Sequence, residues 1–336
     1  MTLRIVSQEQ VRDLLPMHEC IDLMRQAFVS YTRGEATVPL RPVMVLPDRR
    51  GVLALMPGHT AGPVEALGVK VITVFPGNLG TPLDAHQGAV LLFDTNDGRL
   101  VGLMDASEVT AIRTAAASAV ATDLLARPSA SDLAVLGSGV QARTHLEAMR
   151  AVRDIQRVRL WSRSPERARA FAEQERTRGG PSVEVCDDPR SAVTGADLIC
   201  TTTGARDPIV CGDWLDEGAH VNAVGSALPT ARELDTRAVV RARVFVDSRE
   251  SAAHEAGDLL IPMKEGAIGS DHIVGEIGDV LQGTVAGRTD DRDVTLFKSL
   301  GIAVQDVVVA KFVVERARQT DTGTDIEFGG LRDASG

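Results

Sequence analysis

Apolar residues change their period along this chain, and the changes mark its organisation. Residues 8–34 carry Val11, Leu14, Leu15, Ile21, Met24, Ala27 and Phe28, a helical stripe that stops at Gly34. Strand-like runs follow at 43–46, 51–56, 67–74 and 89–94, with another at 100–104 after the turn Asn96-Asp97-Gly98. They lie close together with turn residues between them, which predicts a mostly antiparallel sheet. A long helix is expected from Glu108 to Ala126, capped by Ser107 and stopped before Pro128. Beyond it, strands predicted at 132–137, 157–162, 182–186, 197–202, 219–224 and 243–247 alternate with helices, the pattern of a parallel doubly wound sheet. The tail from Leu296 to Ala317 reads as helix packing back onto the first domain. The expected class is α/β, in two domains.

The run Asp132 to Ala142 reads as a buried strand, a glycine-rich turn and the start of a helix with apolar positions at Val140, Leu146, Met149 and Val152. That order suits a dinucleotide pyrophosphate. Gly137 permits the tight turn, Gly139 lets phosphates approach the backbone, and Ala142 lets the helix pack on the strand. A glycine turn alone is weak; the strand before, the helix after and a second strand at Val158-Arg159-Leu160-Trp161 make it a Rossmann-type cofactor site. NAD-selective sites usually end that second strand with an acid, whereas here it reads Ser162-Arg163-Ser164. Two hydroxyls and an arginine suit a 2′-phosphate, so NADP is preferred and NAD stays possible; the bland alternative is a solvated turn with Ser164 capping a helix. The fourth and fifth strands end in Thr201-Thr202-Thr203 and Val224-Gly225-Ser226, where ligands bind in such sheets.

Composition narrows the class. The 336 residues are 44% hydrophobic and 24% charged, which is globular. The net charge of −10 and the lack of a basic, aromatic-studded stripe argue against nucleic acid. No apolar run reaches about 18 residues and the first residues lack a secretory pattern, so the expectation is a cytoplasmic protein without a membrane span. Cys20, Cys186, Cys200 and Cys211 lack metal-ligand spacing and read as reduced thiols, Cys186 and Cys200 buried in strands; no metal is expected.

Of 36 basic residues only four are lysine, at 70, 264, 298 and 311. Lys70 interrupts an apolar run and Arg113 a small-residue helix, while Arg41 starts a strand before Pro42. A buried charge costs several kcal/mol unless paired. Each is therefore expected to meet an anionic ligand or an internal carboxylate, with Asp84, Asp105 and Glu108 as candidates. Together the three suit a small carboxylate substrate.

These residues carry a resemblance to the ornithine cyclodeaminase/mu-crystallin family over nearly the whole chain. The matching segments include residues 67–71, 75–78, 87–94, 111–119, 136–142, 222–225, Arg232-Glu233-Leu234-Asp235, and Leu296 through Asp306. The resemblance implies a Rossmann domain, 121–311, and a mostly antiparallel α+β substrate-binding and dimerisation domain from both termini, 1–120 and 312–336. It implies a homodimer, and a nicotinamide cofactor acting on small amino or imino acids. It implies substrate-carboxylate roles for Arg41, Lys70 and Arg113, with Lys70 catalytic. To the cofactor contacts Gly137, Gly139, Ser162, Arg163, Ser164, Thr201, Thr202, Thr203, Val224, Gly225 and Ser226 it adds Thr114, Val140, Gln141, Arg167, Ser299 and Gly301.

One departure matters. Ornithine cyclodeaminases and the alanine dehydrogenases of this family resemble one another in carrying an aspartate two residues after the glycine of the fifth strand; here Gly225 is followed by Ser226 and Ala227. Alanine neither holds a distal amine nor activates water. The segment is similar to that of the imine-reducing members. A protonated cyclic iminium is already electrophilic and needs only orientation and a hydride. The expected activity is NADPH-dependent reduction of a cyclic α-imino acid of the 1-pyrroline-2-carboxylate or 1-piperideine-2-carboxylate type. The alternatives are an ornithine cyclodeaminase or amino-acid dehydrogenase, or a cofactor-loaded protein that stores a small ligand.

Overall fold

The structure, a computed structural model, describes residues 2–78 and 81–329, so residues 330–336 of the expected C-terminal segment lie outside the described residues. The chain divides into two compact units, Met1–Arg113 with Ile302–Gly336, and Thr114–Gly301.

The first unit is built on a sheet in the order Thr324–Glu327, Thr2–Val6, Leu100–Asp105, His86–Phe93, Ala66–Val74, Val52–Thr60 and Ala36–Thr37, with Val43–Val45 also on Val52–Thr60. Among the described residues, only Thr2–Val6 with Leu100–Asp105 is parallel in this sheet. Side chains alternate across a strand, and in Ala66–Val74 the buried set is Ala66, Gly68, Lys70 and Ile72. Helix Ala303–Gln319 covers that face at close range, because a Cβ on Gly58 would lie 3.0 Å from Ala303 Cβ and one on Gly68 3.1 Å from Val307 Cγ1. The glycines set the height of the helix above the sheet.

The second unit holds a wholly parallel sheet in the order Val183–Val185, Arg157–Trp161, Asp132–Leu136, Leu198–Thr201, His220–Ala223, Val294–Lys298, Ala242–Val246 and Ile273–Glu276. The strand order reverses between Asp132–Leu136 and Leu198–Thr201, the switch point where ligands bind at carboxyl ends. The mixed α/β class, one parallel and one mostly antiparallel sheet, is as the sequence predicts.

Several local expectations are corrected. The stripe over 8–34 is two helices, Gln8–Leu14 and Met17–Thr32. Leu15 precedes Pro16 and leaves the helical region, with φ −121 and ψ 74. The helix expected from Glu108 spans Ala106–Leu125, and its cap is Asp105, which accepts the Glu108 N–H at 2.7 Å; the Ser107 hydroxyl instead donates to His86 O. Leu296 does not start a helix. Val294–Lys298 is a buried central strand and the helix begins at Ala303, since a short apolar run has no period to separate the two. Strands Thr2–Val6, Ile273–Glu276 and Thr324–Glu327 are additional. Cys186 lies just past its strand and is only half-buried.

Candidate active site

In the first unit, Lys70 and Arg113 converge on one carboxylate that the sequence reading did not single out. Lys70 Nζ lies 2.9 Å from Asp306 Oδ2 and 3.0 Å from Oδ1; Arg113 Nε donates to Oδ1 at 3.1 Å. Arg113 also donates to Gln305 Oε1 at 2.9 Å, and Lys70 to Thr110 Oγ1 at 3.3 Å. Lys70, Arg113 and Asp306 are all buried. Burial, and then the Arg113 and Arg41 cations, push the Lys70 ammonium down from 10.5 to about 7 against the opposing pull of Asp306. Asp84, Asp105 and Glu108 are not its partners; Glu108 holds Arg12 at 2.7 Å. Arg41 is half-buried, with its guanidinium 4.0 Å from the sulfur of Met56, the residue facing Lys70 across the strand pair. Two buried basic groups share one carboxylate, so the cluster carries excess positive charge whenever Lys70 is protonated, which suits an anion.

In the second unit, Asp132–Leu136 runs into Gly137, whose φ of +125 requires glycine and whose added Cβ would lie 2.6 Å from Thr202 Oγ1. Gly139 is the N-cap of helix Val140–Val152, with no side-chain cap on its first N–H groups. Val140, expected on the apolar stripe, is 50% exposed instead. Gln141 lies in the first turn, and its carbonyl faces His145 Nδ1 at 2.7 Å while Ser118 Oγ faces Nε2 at 3.0 Å. Burial holds that imidazole at about 4, so it is neutral. Ser162 Oγ lies 2.9 Å from Ser138 Oγ. Ser164 caps helix Pro165–Thr177 by accepting the Arg167 N–H, and its hydroxyl donates to Glu166 at 2.9 Å. Arg163 and Arg167 are exposed beside them.

At the strand ends, Thr202 donates its N–H and hydroxyl to Leu136 O, at the end of the strand that leads into the glycine turn. Thr201 and Thr203 donate to Glu233. Val224 is half-buried, and Gly225 donates its N–H to Glu233. The Ser226 hydroxyl donates to Ala231 O. Gly301, at φ +78, donates to Asp247 Oδ2 at 2.6 Å. Among the described residues no cluster of His, Cys, Asp and Glu could hold a metal, and no helix is long and apolar enough to cross a membrane.

The second unit fits a dinucleotide. A Cβ on Gly139 would meet nothing within 4 Å, so open space faces the glycine turn. Among the described residues, Thr114 Oγ1 and Ser299 Oγ are buried hydroxyls without a hydrogen-bond partner. Such groups cost free energy unless something bonds them, and ribose and amide groups can do so. Sequence reasoning missed Asp306, Glu233, Asp258 and Lys298. The available signals were an acid within an otherwise apolar helical stripe, a rare lysine ending an apolar run, and the place of Glu233, Lys298 and Asp306 in segments that carry the family resemblance.

Comparison with known proteins agrees with this geometry. Residues 2–321 match the ornithine cyclodeaminase/mu-crystallin family. The chain is 40% identical over 325 residues to the Delta(1)-pyrroline-2-carboxylate reductase of Bacillus cereus, covering 96% of this chain and 99% of that one. It is 40% identical over 314 residues to the ketimine reductase mu-crystallin of Mus musculus, covering 92% and 96%. Among solved structures it is similar to Thermococcus litoralis Delta(1)-pyrroline-2-carboxylate reductase in complex with NADH and L-proline, with a TM-score of 0.93 and 37% identity over 96% of this chain and 100% of that one. On sequence and fold together, this chain belongs to the ornithine cyclodeaminase/mu-crystallin family.

Proposed function

We propose that the chain is a nicotinamide-dependent reductase that converts a cyclic α-imino acid, of the 1-pyrroline-2-carboxylate or 1-piperideine-2-carboxylate type, to the L-amino acid. The observation that carries this reading is the buried Lys70–Asp306–Arg113 cluster, which holds two cations on one carboxylate. Asp306 fixes both cations, and their excess charge binds the α-carboxylate of the substrate. Lys70 adds positive potential near the reacting C=N bond and is the proposed catalytic residue; Arg41 and Arg113 complete the carboxylate site. The bound reduced nicotinamide supplies a hydride. An iminium ion already carries its proton, so no residue has to activate water, consistent with the half-buried Ala227 packing on the apolar core of its unit. The pyrroline-2-carboxylate reductase and ketimine reductase similarities support the same reaction class.

NADPH is the preferred cofactor on this reading, because Ser162 and Arg163 stand where NAD-selective sites place an acid; NADH remains usable. Gly137, Gly139, Val140 and Gln141 would meet the pyrophosphate, Ser164 and Arg167 the adenosine end. Thr114, Thr201, Thr202, Thr203, Val224, Gly225, Ser226, Ser299 and Gly301 would line the nicotinamide end. A cytoplasmic homodimer joined through the first unit completes the proposal. Its support is the apolar strand Val43–Val45, exposed by 49%, 56% and 54%. The deciding experiment incubates the protein with cyclic imino acids and NADPH, and separately with ornithine and NAD. Stoichiometric NADPH consumption with ring reduction supports the reductase. Ammonia release from ornithine without net cofactor change refutes it.

A further inference from the structure

Glu233 lies on none of the strands and is fully buried, yet its carboxylate joins two loops. Oε1 accepts the Thr203 N–H at 2.8 Å and the Thr203 hydroxyl at 2.7 Å. Oε2 accepts the Thr201 hydroxyl at 2.7 Å and the Gly225 N–H at 2.8 Å. All four partners donate, and these bonds together with Lys298 favour the ionised carboxylate against the burial and the neighbouring Asp258 that push its pKa up. A Cβ on Gly225 would lie 2.1 Å from Thr203 O and 2.5 Å from Glu233 Oε1, so the glycine seats its loop directly on both. The network continues underneath. Asp258 Oδ1 accepts the N–H groups of Glu233 and Leu234 at 2.7 and 3.0 Å, Asp258 Oδ2 pairs with Lys298 Nζ at 2.9 Å, and Lys298 donates to Ser226 O. Asp258 and Lys298 are also fully buried.

The placement carries more than stability. Thr201 and Ala223 are register partners at the carboxyl ends of neighbouring parallel strands, the edge on which such sheets bind ligands. Thr202, held between Thr201 and Thr203, is bonded to Leu136, the last strand residue before the glycine turn. The carboxylate therefore locks the loops that would take the nicotinamide half, while the loop around Ser162 that would take the adenosine half makes none of these bonds.

We propose that Glu233, backed by Asp258 and Lys298, is a positioning residue for the nicotinamide end of the cofactor: it fixes the Thr201–Thr203 and Gly225–Ser226 segments without touching the cofactor itself. This rests on the nicotinamide-cofactor reading above. Glu233→Gln replaces one acceptor oxygen by an amide NH₂ that faces one backbone N–H and one threonine hydroxyl whichever way it turns; the hydroxyl can rotate to accept, but the N–H bond to Thr203 or Gly225 is lost.

The test is calorimetric titration of the wild-type and Glu233→Gln proteins with NADPH, NADH, and 2′-phospho-ADP-ribose, which lacks nicotinamide. Glu233→Gln is expected to weaken the whole dinucleotides roughly tenfold or more and the fragment less than about twofold. Its kcat falls while KM for the imino acid holds. Glu233→Asp, which keeps the charge, recovers part of the loss. Equal weakening of fragment and dinucleotide, or no weakening, overturns the proposal. Should Glu233→Gln not fold, Asp258→Asn keeps the acceptor for the Glu233 N–H, disturbs only the Lys298 pairing, and must show the same selectivity. A wild-type protein that binds neither dinucleotide defeats the cofactor reading instead.

Discussion

Asp306 holds the Lys70 pKa up against burial, and Asp306→Asn tests this. The side chain keeps its size and one acceptor but loses the charge held 2.9 Å from Lys70 Nζ. Two unit charges about 4 Å apart attract by about 4 kcal/mol at an effective dielectric of about 20, or about three pKa units. Lys70 already stands at about 7, because burial outweighs its partner. In the variant it should fall to about 4–5. The lysine of the wild type is about half protonated at pH 7, whereas that of the variant is charged to roughly 1% or less. If the charged form binds and activates the imino acid, wild-type kcat/KM declines as pH rises through about 7. The decline in Asp306→Asn lies two to three units lower, with roughly a hundredfold deficit at pH 7 that shrinks on acidification. The assay is nicotinamide absorbance between pH 5 and 9. Circular dichroism sets the working temperature, since losing a buried partner costs about 3–5 kcal/mol. Superimposable pH profiles, or a variant more active at pH 9 than at pH 6, would refute the reasoning.

The same displaced pKa has a stability consequence. The folded value lies below the unfolded one, so the unfolded chain binds more protons between about pH 7 and 10.5 and the contribution of Lys70 improves as pH rises through that window; Lys70→Met should flatten that slope in urea titrations and abolish turnover, whereas an active Lys70→Met protein would reduce the residue to a structural cation. Lys70→Arg is expected to be inactive too, because a forked guanidinium does not replace a compact ammonium at close range. Arg163→Ala should weaken NADPH roughly tenfold or more and leave NADH nearly unchanged by calorimetry, and equal weakening would mean that Arg163 does not read the phosphate. Ala227→Asp should slow ring reduction, measured as kcat on 1-pyrroline-2-carboxylate; unchanged kcat would separate this position from the substrate. Sedimentation at micromolar concentration should give the mass of two chains, and a single-chain mass would remove the dimer.

What the sequence determined by itself is local or periodic. The glycine turn at 137–139 was legible because the dihedral angles and close approach it demands restrict the residue types, and the parallel sheet because strands and helices alternate in register with burial. Lys70 and Arg113 stood out because a charge in an apolar run is conspicuous wherever it folds. The two helices around Pro16 and the cap at Asp105 were written in the chain as well, in proline sterics and a carboxylate three residues before an N–H. Tertiary structure alone decided the partners. Asp306 is 236 residues from Lys70 and 193 from Arg113, and no local rule favours it over Asp84, Asp105 or Glu108. The contact exists because Gly58 and Gly68 let one helix settle on one face of a sheet. Glu233 was likewise silent: a carboxylate shows its role only when folding brings four donors from two strand ends onto it and removes the water that would otherwise have satisfied it.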